Sequence, residues 1–121
     1  MSIQDIESFY LESCRFSKGS YTFEFAGKLN DDYRTFIVST SDCFSLPGEK
    51  LLDVRENFSK IVWEFLEKRV VCISVDDQDE QSEKVFFEFE GGGQFIIFSD
   101  GPVRGELLVV KVKETGEWFT V

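Results

Sequence analysis

The chain has 121 residues, of which 23 are acidic and 13 basic, so its net charge at pH 7 is −10. A hydrophobic fraction of 42%, with 14 phenylalanines, predicts one globular domain and excludes a disordered acidic tail. Because phosphate groups are bound by clusters of lysine and arginine, this charge disfavours direct contact with nucleic acid and with anionic membrane surfaces.

One helix followed by strands is predicted for the first third of the chain. Ser2 followed by Asp5 nearly matches a capping box, and apolar residues come next at helical spacing, which predicts a helix over 2–13. From Cys14 to Thr40 aromatic and β-branched residues alternate with polar ones, which predicts a β-hairpin with its loop at 27–32.

A second helix is predicted over 49–68, because apolar residues recur there at steps of three and four, Phe65 among them. Trp63 lies away from that apolar stripe, which leaves two roles open: an interface anchor, or packing beneath another segment. Four strands are predicted after the helix, at 71–75, 85–90, 94–99 and 106–113. Together these elements predict an α+β fold with two helices and antiparallel sheet or sheets of about six to seven strands.

Two parts of the sequence resemble each other. Tyr21–Gly27 reads YTFEFAG and Val85–Gly91 reads VFFEFEG, and Thr35–Ser39 is similar to Gln94–Phe98. The likeness predicts a pseudo-duplicated unit of helix, strand and hairpin, whose two hairpins lie in one antiparallel sheet or in two apposed sheets. Chance similarity between two Phe-x-Phe strands is the alternative.

The alternation in these strands also predicts which side chains face the core. The four phenylalanines of the two Phe-Glu-Phe motifs are expected inside, and the glutamates on the opposite faces. If the two strands are neighbours, Glu24 and Glu88 extend one acidic surface.

Asp76–Glu90 is the most charged stretch of the chain, with seven carboxylates and a single lysine, Lys84. It is predicted to be an acidic loop that enters a phenylalanine-rich strand. A field of this strength favours a basic partner and accelerates its encounter. The predicted partner-binding residues are the carboxylates of the loop, Asp76, Asp77, Asp79, Glu80 and Glu83, and three lesser candidates, Glu88, Glu90 and Trp63.

The sequence offers little support for catalysis. It contains no histidine, which removes the commonest general base and every Ser-His or Cys-His nucleophile. The spacing of Asp77, Asp79 and Glu88 resembles a calcium loop, but the sixth position is Ser82 and the flanks are predicted strands, so no metal is expected. Gly91–Gly93 lies between two strands and predicts a hairpin turn. No cofactor, catalytic residue or enzymatic activity is therefore predicted.

The cysteines and the N-terminus indicate a cytoplasmic protein. Cys14, Cys43 and Cys72 are odd in number and widely spaced, which suits reduced thiols better than a disulfide framework or a metal site. The first ten residues have neither a basic region nor an apolar run of signal length, and no stretch is long enough to span a membrane.

Leu66–Val112 resembles a pattern common in small bacterial immunity proteins of polymorphic and contact-dependent toxin systems: a helix, a strand, an acidic loop, an FxFxxG hairpin and a final strand. The resemblance implies a cytosolic, non-catalytic protein that binds and neutralises one cognate toxin domain. Many such toxins are basic nucleases, whose lysines and arginines can pair with carboxylates.

Two alternatives come from other classes. One is a small-ligand-binding or regulatory domain, in which the sheet encloses a pocket and the acidic residues only confer solubility. The other is an enzyme that uses carboxylates, which requires two acidic side chains converging in a cleft with raised pKa values. The sequence does not predict an oligomeric state or the chemistry of the toxin.

Overall fold

The computed structural model describes residues 1–17, 20–40, 43–45, 60, 63–79, 82–98 and 108–121. Within these residues a 3-10 turn at Ile3–Ile6 precedes nine strands, which are numbered in chain order. The strands are β1 Tyr10–Ser17, β2 Ser20–Leu29, β3 Asp32–Thr40, β4 Cys43–Ser45, β5 Val70–Asp79, β6 Ser82–Phe89, β7 Gln94–Phe98, β8 Val109–Val112 and β9 Trp118–Thr120.

The strands form two antiparallel sheets. Sheet A has the order β1-β2-β3-β8-β9 and sheet B the order β4-β7-β6-β5. The described part of the chain is therefore mostly β, and it contains no complete α-helix. The predicted α+β class, with two helices and six to seven strands, is wrong; the antiparallel pairing is confirmed.

The helix predicted over 2–13 is wrong. Helical backbone is limited to the 3-10 turn, and Ser8 has a φ of 76°, a left-handed conformation that does not continue a right-handed helix. β1 then begins at Tyr10. Ile3 and Ile6 are buried, so the apolar spacing that predicted a helix is satisfied by a single turn.

Most of the helix predicted over 49–68 lies outside the described residues. At its end, Lys60 and residues 63–65 have helical backbone, and Phe65 of the predicted apolar stripe is buried. Glu67 then adopts a φ of 69°, and β5 begins at Val70.

The two sheets pack face to face over a core rich in phenylalanine. The side chains of Phe23, Phe25, Phe87 and Phe89 are all buried, as the alternation predicts. Rings stack between the sheets: the centroids of Phe25 and Phe87 are 5.6 Å apart, with an angle of 7° between the rings. Such aromatic pairs add about 0.5–1.5 kcal/mol to the effect of area burial, so both hairpins contribute to one core.

Two tight turns close the central hairpins. Asn30 and Asp31 have φ values of 52° and 68°, which suits a two-residue hairpin turn, so β2 and β3 stay paired up to it. The loop predicted over 27–32 is therefore too long. Gly91 and Gly92, with φ values of 91° and 93°, form the turn predicted between β6 and β7.

The two halves of the chain repeat one arrangement of strands. Adding 59 to the residue numbers of β1 and 64 to those of β2 reproduces the pairing of β5 with β6. The irregularity that follows Leu11 in β1 recurs after Val70 in β5. The sequence likeness between β2 and β6 is thus matched in three dimensions, in two apposed sheets.

The likeness between β3 and β7 is shifted. Phe23 lies opposite Val38, whereas its counterpart Phe87 lies opposite Phe95, which is two residues from the position that the sequence match gives. The fourth strands are exchanged between the halves: β4 pairs with β7, and β8 pairs with β3. Each sheet therefore contains three consecutive strands of one half, together with β8 and β9 of the second half in sheet A and β4 of the first half in sheet B.

The halves meet at Tyr10 and Arg69, which pair as an isolated antiparallel bridge. Reciprocal hydrogen bonds flank the bridge: the Leu11 N–H donates to Lys68 O at 3.0 Å, and the Val70 N–H donates to Phe9 O at 2.8 Å. The counterparts Ser8 and Glu67 both have positive φ. The two halves therefore contribute equivalent residues to this junction.

Candidate functional site

The acidic stretch is part of a β-hairpin. β5 continues to Asp79 and β6 begins at Ser82, with Asp76 opposite Lys84 and Asp79 opposite Ser82. The prediction of an acidic loop over 76–84 is therefore wrong. Ladder hydrogen bonds come from backbone groups, which every residue except proline supplies, and no proline interrupts this stretch.

Residues 77–83, which we call the acidic tip, close this hairpin. They carry four carboxylates, those of Asp77, Asp79, Glu80 and Glu83, and Glu80 lies outside the described residues. Asp77 and Asp79 lie in β5, and Glu83 lies in the paired strand β6. Because three residues of a strand span about 10 Å and paired strands lie about 5 Å apart, the backbone positions of these three acidic residues are separated by distances close to the Debye length of about 8 Å at physiological salt.

Asp76 and Glu88 extend from the tip along the outer face of sheet B. Both are exposed, and Glu88 lies opposite Cys72 and Gln94 on the neighbouring strands. Glu24 does not extend this surface, because β2 belongs to sheet A and its outer face points the other way. There Glu24 pairs with Arg15 at 2.6 Å.

Glu90 lies at the opposite end of β6, a strand of eight residues and thus about 26 Å from the tip. Its Oε2 is 3.5 Å from Nε of Arg69, and its Oε1 accepts a hydrogen bond from the Arg69 N–H at 3.4 Å. The two side chains are 47% and 44% exposed, so the ion pair contributes about 0–1 kcal/mol. The structure does not bring Glu90 together with the tip.

Trp63 lies in the last helical turn before β5, and its side chain is 88% exposed. The prediction that it points away from the apolar stripe is confirmed, and packing beneath another segment is wrong. An exposed tryptophan suits an interface anchor. β5 has ten residues and spans about 33 Å, so Trp63 and the tip lie near opposite ends of this strand.

A groove of about 540 Å³ lies beside the junction of the halves, on the outer side of β1 and β2. Its walls include the exposed rings of Tyr10 and Tyr33 and the charged groups of Glu12, Lys28 and Glu67. These residues come from three separate parts of the sequence. The spacing of apolar residues had placed Tyr10 in the helix predicted over 2–13. No local pattern predicts this groove.

The described thiols have packing roles. Burial raises the pKa of the Cys14 thiol to about 12, so the thiol is protonated at neutral pH and is a poor nucleophile. Cys72 is half-buried in β5, with its Sγ 3.8 Å from Oγ of Ser74. Cys43 lies in β4, and its side chain is outside the described residues.

Among the side chains that the structure describes, no group of three or more Cys, Asp or Glu is placed to hold a metal ion. None of the described helical segments has the length and apolar character needed to cross a membrane. Neither a family model, nor a curated protein, nor a solved structure matches this chain.

Proposed function

We propose that this protein binds a basic protein through the acidic tip, as an immunity protein that neutralises a cognate toxin domain of nuclease type. The observation that carries the proposal is the difference between the two equivalent hairpins. The pair Ser17 and Ser20 in the first hairpin corresponds to Asp76 and Lys84 in the second. Two residues separate the first pair, and seven residues with four carboxylates separate the second.

The fold does not need this extension, because the first hairpin closes with two residues on the same register. Like charges on neighbouring strands also oppose folding. Because the fold does not require this segment and its like charges repel one another, we expect the segment to bind a partner.

A basic partner relieves this repulsion. Lysine and arginine form charge-assisted hydrogen bonds with carboxylates, and complementary fields raise association rates at low salt. A nuclease must carry a basic surface to hold substrate phosphates, and a strand-supported acidic tip is complementary to such a surface. Trp63, about a strand length away, is the candidate for a second, apolar contact.

The first experiment is capture of partners at low salt from the organism that encodes the chain, followed by assay of any stoichiometric basic protein with and without it. The test variant removes the charges of the tip: D77N/D79N/E80Q/E83Q. The matched control removes four carboxylates from other surfaces: E24Q/D31N/D32N/E117Q.

The tip variant is expected to bind the captured protein at least about tenfold more weakly and with a flatter salt dependence, whereas the control stays within about twofold. Unchanged affinity and unchanged salt dependence in the tip variant would show that the tip is not the binding surface. A captured protein whose activity is the same with and without the chain would contradict the immunity function.

The groove favours a second candidate, a small-ligand-binding or regulatory domain. Its volume falls within the range of about 300–1,000 Å³ that is usual for ligand sites. A thermal-shift screen separates the two candidates: stabilisation by small molecules together with failure to capture a protein supports the second.

A further inference from the structure

The groove beside β1 has a counterpart in the other half of the molecule. The register that relates the halves makes Tyr10 equivalent to Arg69, and Ala26 equivalent to Glu90. At the second position an arginine lies against a carboxylate, with Nε and Oε2 3.5 Å apart. At the first position the carboxylate is replaced by a methyl group and the arginine by a tyrosine ring, and there the groove opens.

Three residues that line the groove together with Ala26 carry a charge: Glu12, Lys28 and Glu67. Glu12 follows Tyr10 on β1, and Glu67 reaches the groove from the other half, across the junction. Lys28 is the cation of the lining, and it lies opposite Tyr33 at the end of the β2–β3 hairpin. The lining therefore has two carboxylates, one ammonium group and two exposed tyrosines.

We propose that the groove binds an arginine side chain presented by the basic partner. This inference rests on the proposed function for the source of the arginine. A guanidinium group is planar, stacks on aromatic faces and pairs with carboxylates through its fork of N–H donors. The tyrosine rings supply the stacking surface, and the carboxylates of Glu12 and Glu67 supply the acceptors. The arginine of the partner thus lies beside Tyr10, the residue that corresponds to Arg69 in the other half.

The charged residues of the groove affect the binding of a guanidinium group in opposite directions. Glu12 and Glu67 attract the guanidinium, whereas Lys28 repels it. Removing either carboxylate therefore weakens binding, and removing the ammonium group strengthens it. A groove that held an anion or an uncharged molecule would respond in the opposite way or not at all.

The test follows the amide chemical shifts of the full-length protein by NMR during titration with N-acetyl-L-arginine amide at low salt. The citrulline analogue, which has the same shape without the charge, and the lysine analogue, which has the charge without the plane, are the matched probes. Saturable shifts of Gly27 and Lys28 are expected with the arginine probe, and much smaller ones with the other two.

Variants then identify the groups. E12Q and E67Q are expected to weaken binding by roughly threefold each, and K28Q to strengthen it by a similar factor. Y33F keeps the ring and should bind as the native protein does, whereas Y33A should bind more weakly. These side chains line an open surface, and unchanged shifts elsewhere in the spectrum report that each variant is folded.

The outcomes separate this inference from the proposed function. Shifts confined to the acidic tip, or a dissociation constant from the Gly27 shifts that is unchanged in both E12Q and E67Q, would overturn the arginine site and leave the tip proposal intact. Tighter binding of the citrulline probe would also overturn it. A saturable arginine site in a protein that captures no basic partner would support the site while contradicting the proposed function.

Discussion

The β1–β2 and β5–β6 hairpins share one pairing register and one bulge, yet they end differently. The first closes after Ser17 with two residues, and the second continues after Asp76 for seven more. The shared part contains the core phenylalanines, and the unshared part contains the charge. The fold therefore requires the paired strands that the two hairpins share, whereas the acidic tip is an addition to one of them.

Equivalent positions along the two hairpins show the same difference between core and surface. Phe23 and Phe87 are equivalent and both buried, so the core position is kept. On the surface, Ala26 corresponds to Glu90, and one side has a groove where the other has an ion pair. At these positions the surfaces of the two halves differ, whereas the buried phenylalanine is kept.

The largest expected effect tests whether the core is energetically as well as geometrically symmetric. Phe23→Ala and Phe87→Ala remove equivalent buried rings, and each is expected to lower the free energy of unfolding by about 3–5 kcal/mol. Denaturant titration of both variants measures the losses, with the leucine substitutions as milder versions if an alanine variant does not fold. Losses that differ more than twofold would show that the repetition is geometric only.

The next effect is on affinity. Replacing residues 77–83 by Lys-Gly, the loop of the first hairpin, is expected to leave the free energy of unfolding within about 1 kcal/mol of the native value, because it removes repulsion without touching the core. Affinity for the captured basic protein should fall about hundredfold, or about 2.7 kcal/mol. Loss of the folded state on this replacement would mean that the extension is structural.

Two matched glycines distinguish crowding from backbone strain. A Cβ at Gly27 would lie 2.7 Å from Cδ1 of the buried Phe9, whereas Gly91 has open space but a φ of 91°. Gly27→Ala is expected to cost about 1–3 kcal/mol of unfolding free energy, and Gly91→Ala about 1–2 kcal/mol. Asparagine, which tolerates positive φ, should restore part of the stability at Gly91 and none at Gly27. Equal effects of asparagine at both positions would contradict these causes.

The smallest expected effect concerns pH. Desolvation raises the pKa of the Glu114 carboxyl, but two other effects lower it by more, so the pKa lies below its usual value. These effects are the hydrogen bond that the Thr35 N–H donates to Oε1 of Glu114 at 2.6 Å and the charge of the nearby Arg34. A folded-state pKa below the unfolded value gives stability that is present near neutral pH and lost as the pH falls through the folded pKa. Glu114→Gln should therefore be less stable than the native chain at neutral pH, and the difference should shrink in acid. A difference independent of pH would exclude the carboxylate as its cause.

Alternation along the sequence was enough to predict most strands and the inward phenylalanines, since it depends only on neighbouring residues. It could not separate a helix over 2–13 from one turn and a strand, because Ile3 and Ile6 fit either. The sheets themselves depend on pairing between distant strands, such as β3 with β8, for which no local signal exists. For the same reason the sequence could locate the acidic residues, but only the pairing register of β5 with β6 could show that they extend a hairpin. No sequence pattern predicted the groove beside β1.

The exchange of β4 and β8 has a consequence for synthesis of the chain. Sheet A cannot be completed when its first three strands leave the ribosome, because the strand that covers the edge of β3 follows roughly 70 residues later. At about 5–20 residues per second, that edge stays unpaired for several seconds. During this time the first half is open to pairing with another nascent chain, so the order of translation, as well as the final fold, sets the risk of misassembly for this protein.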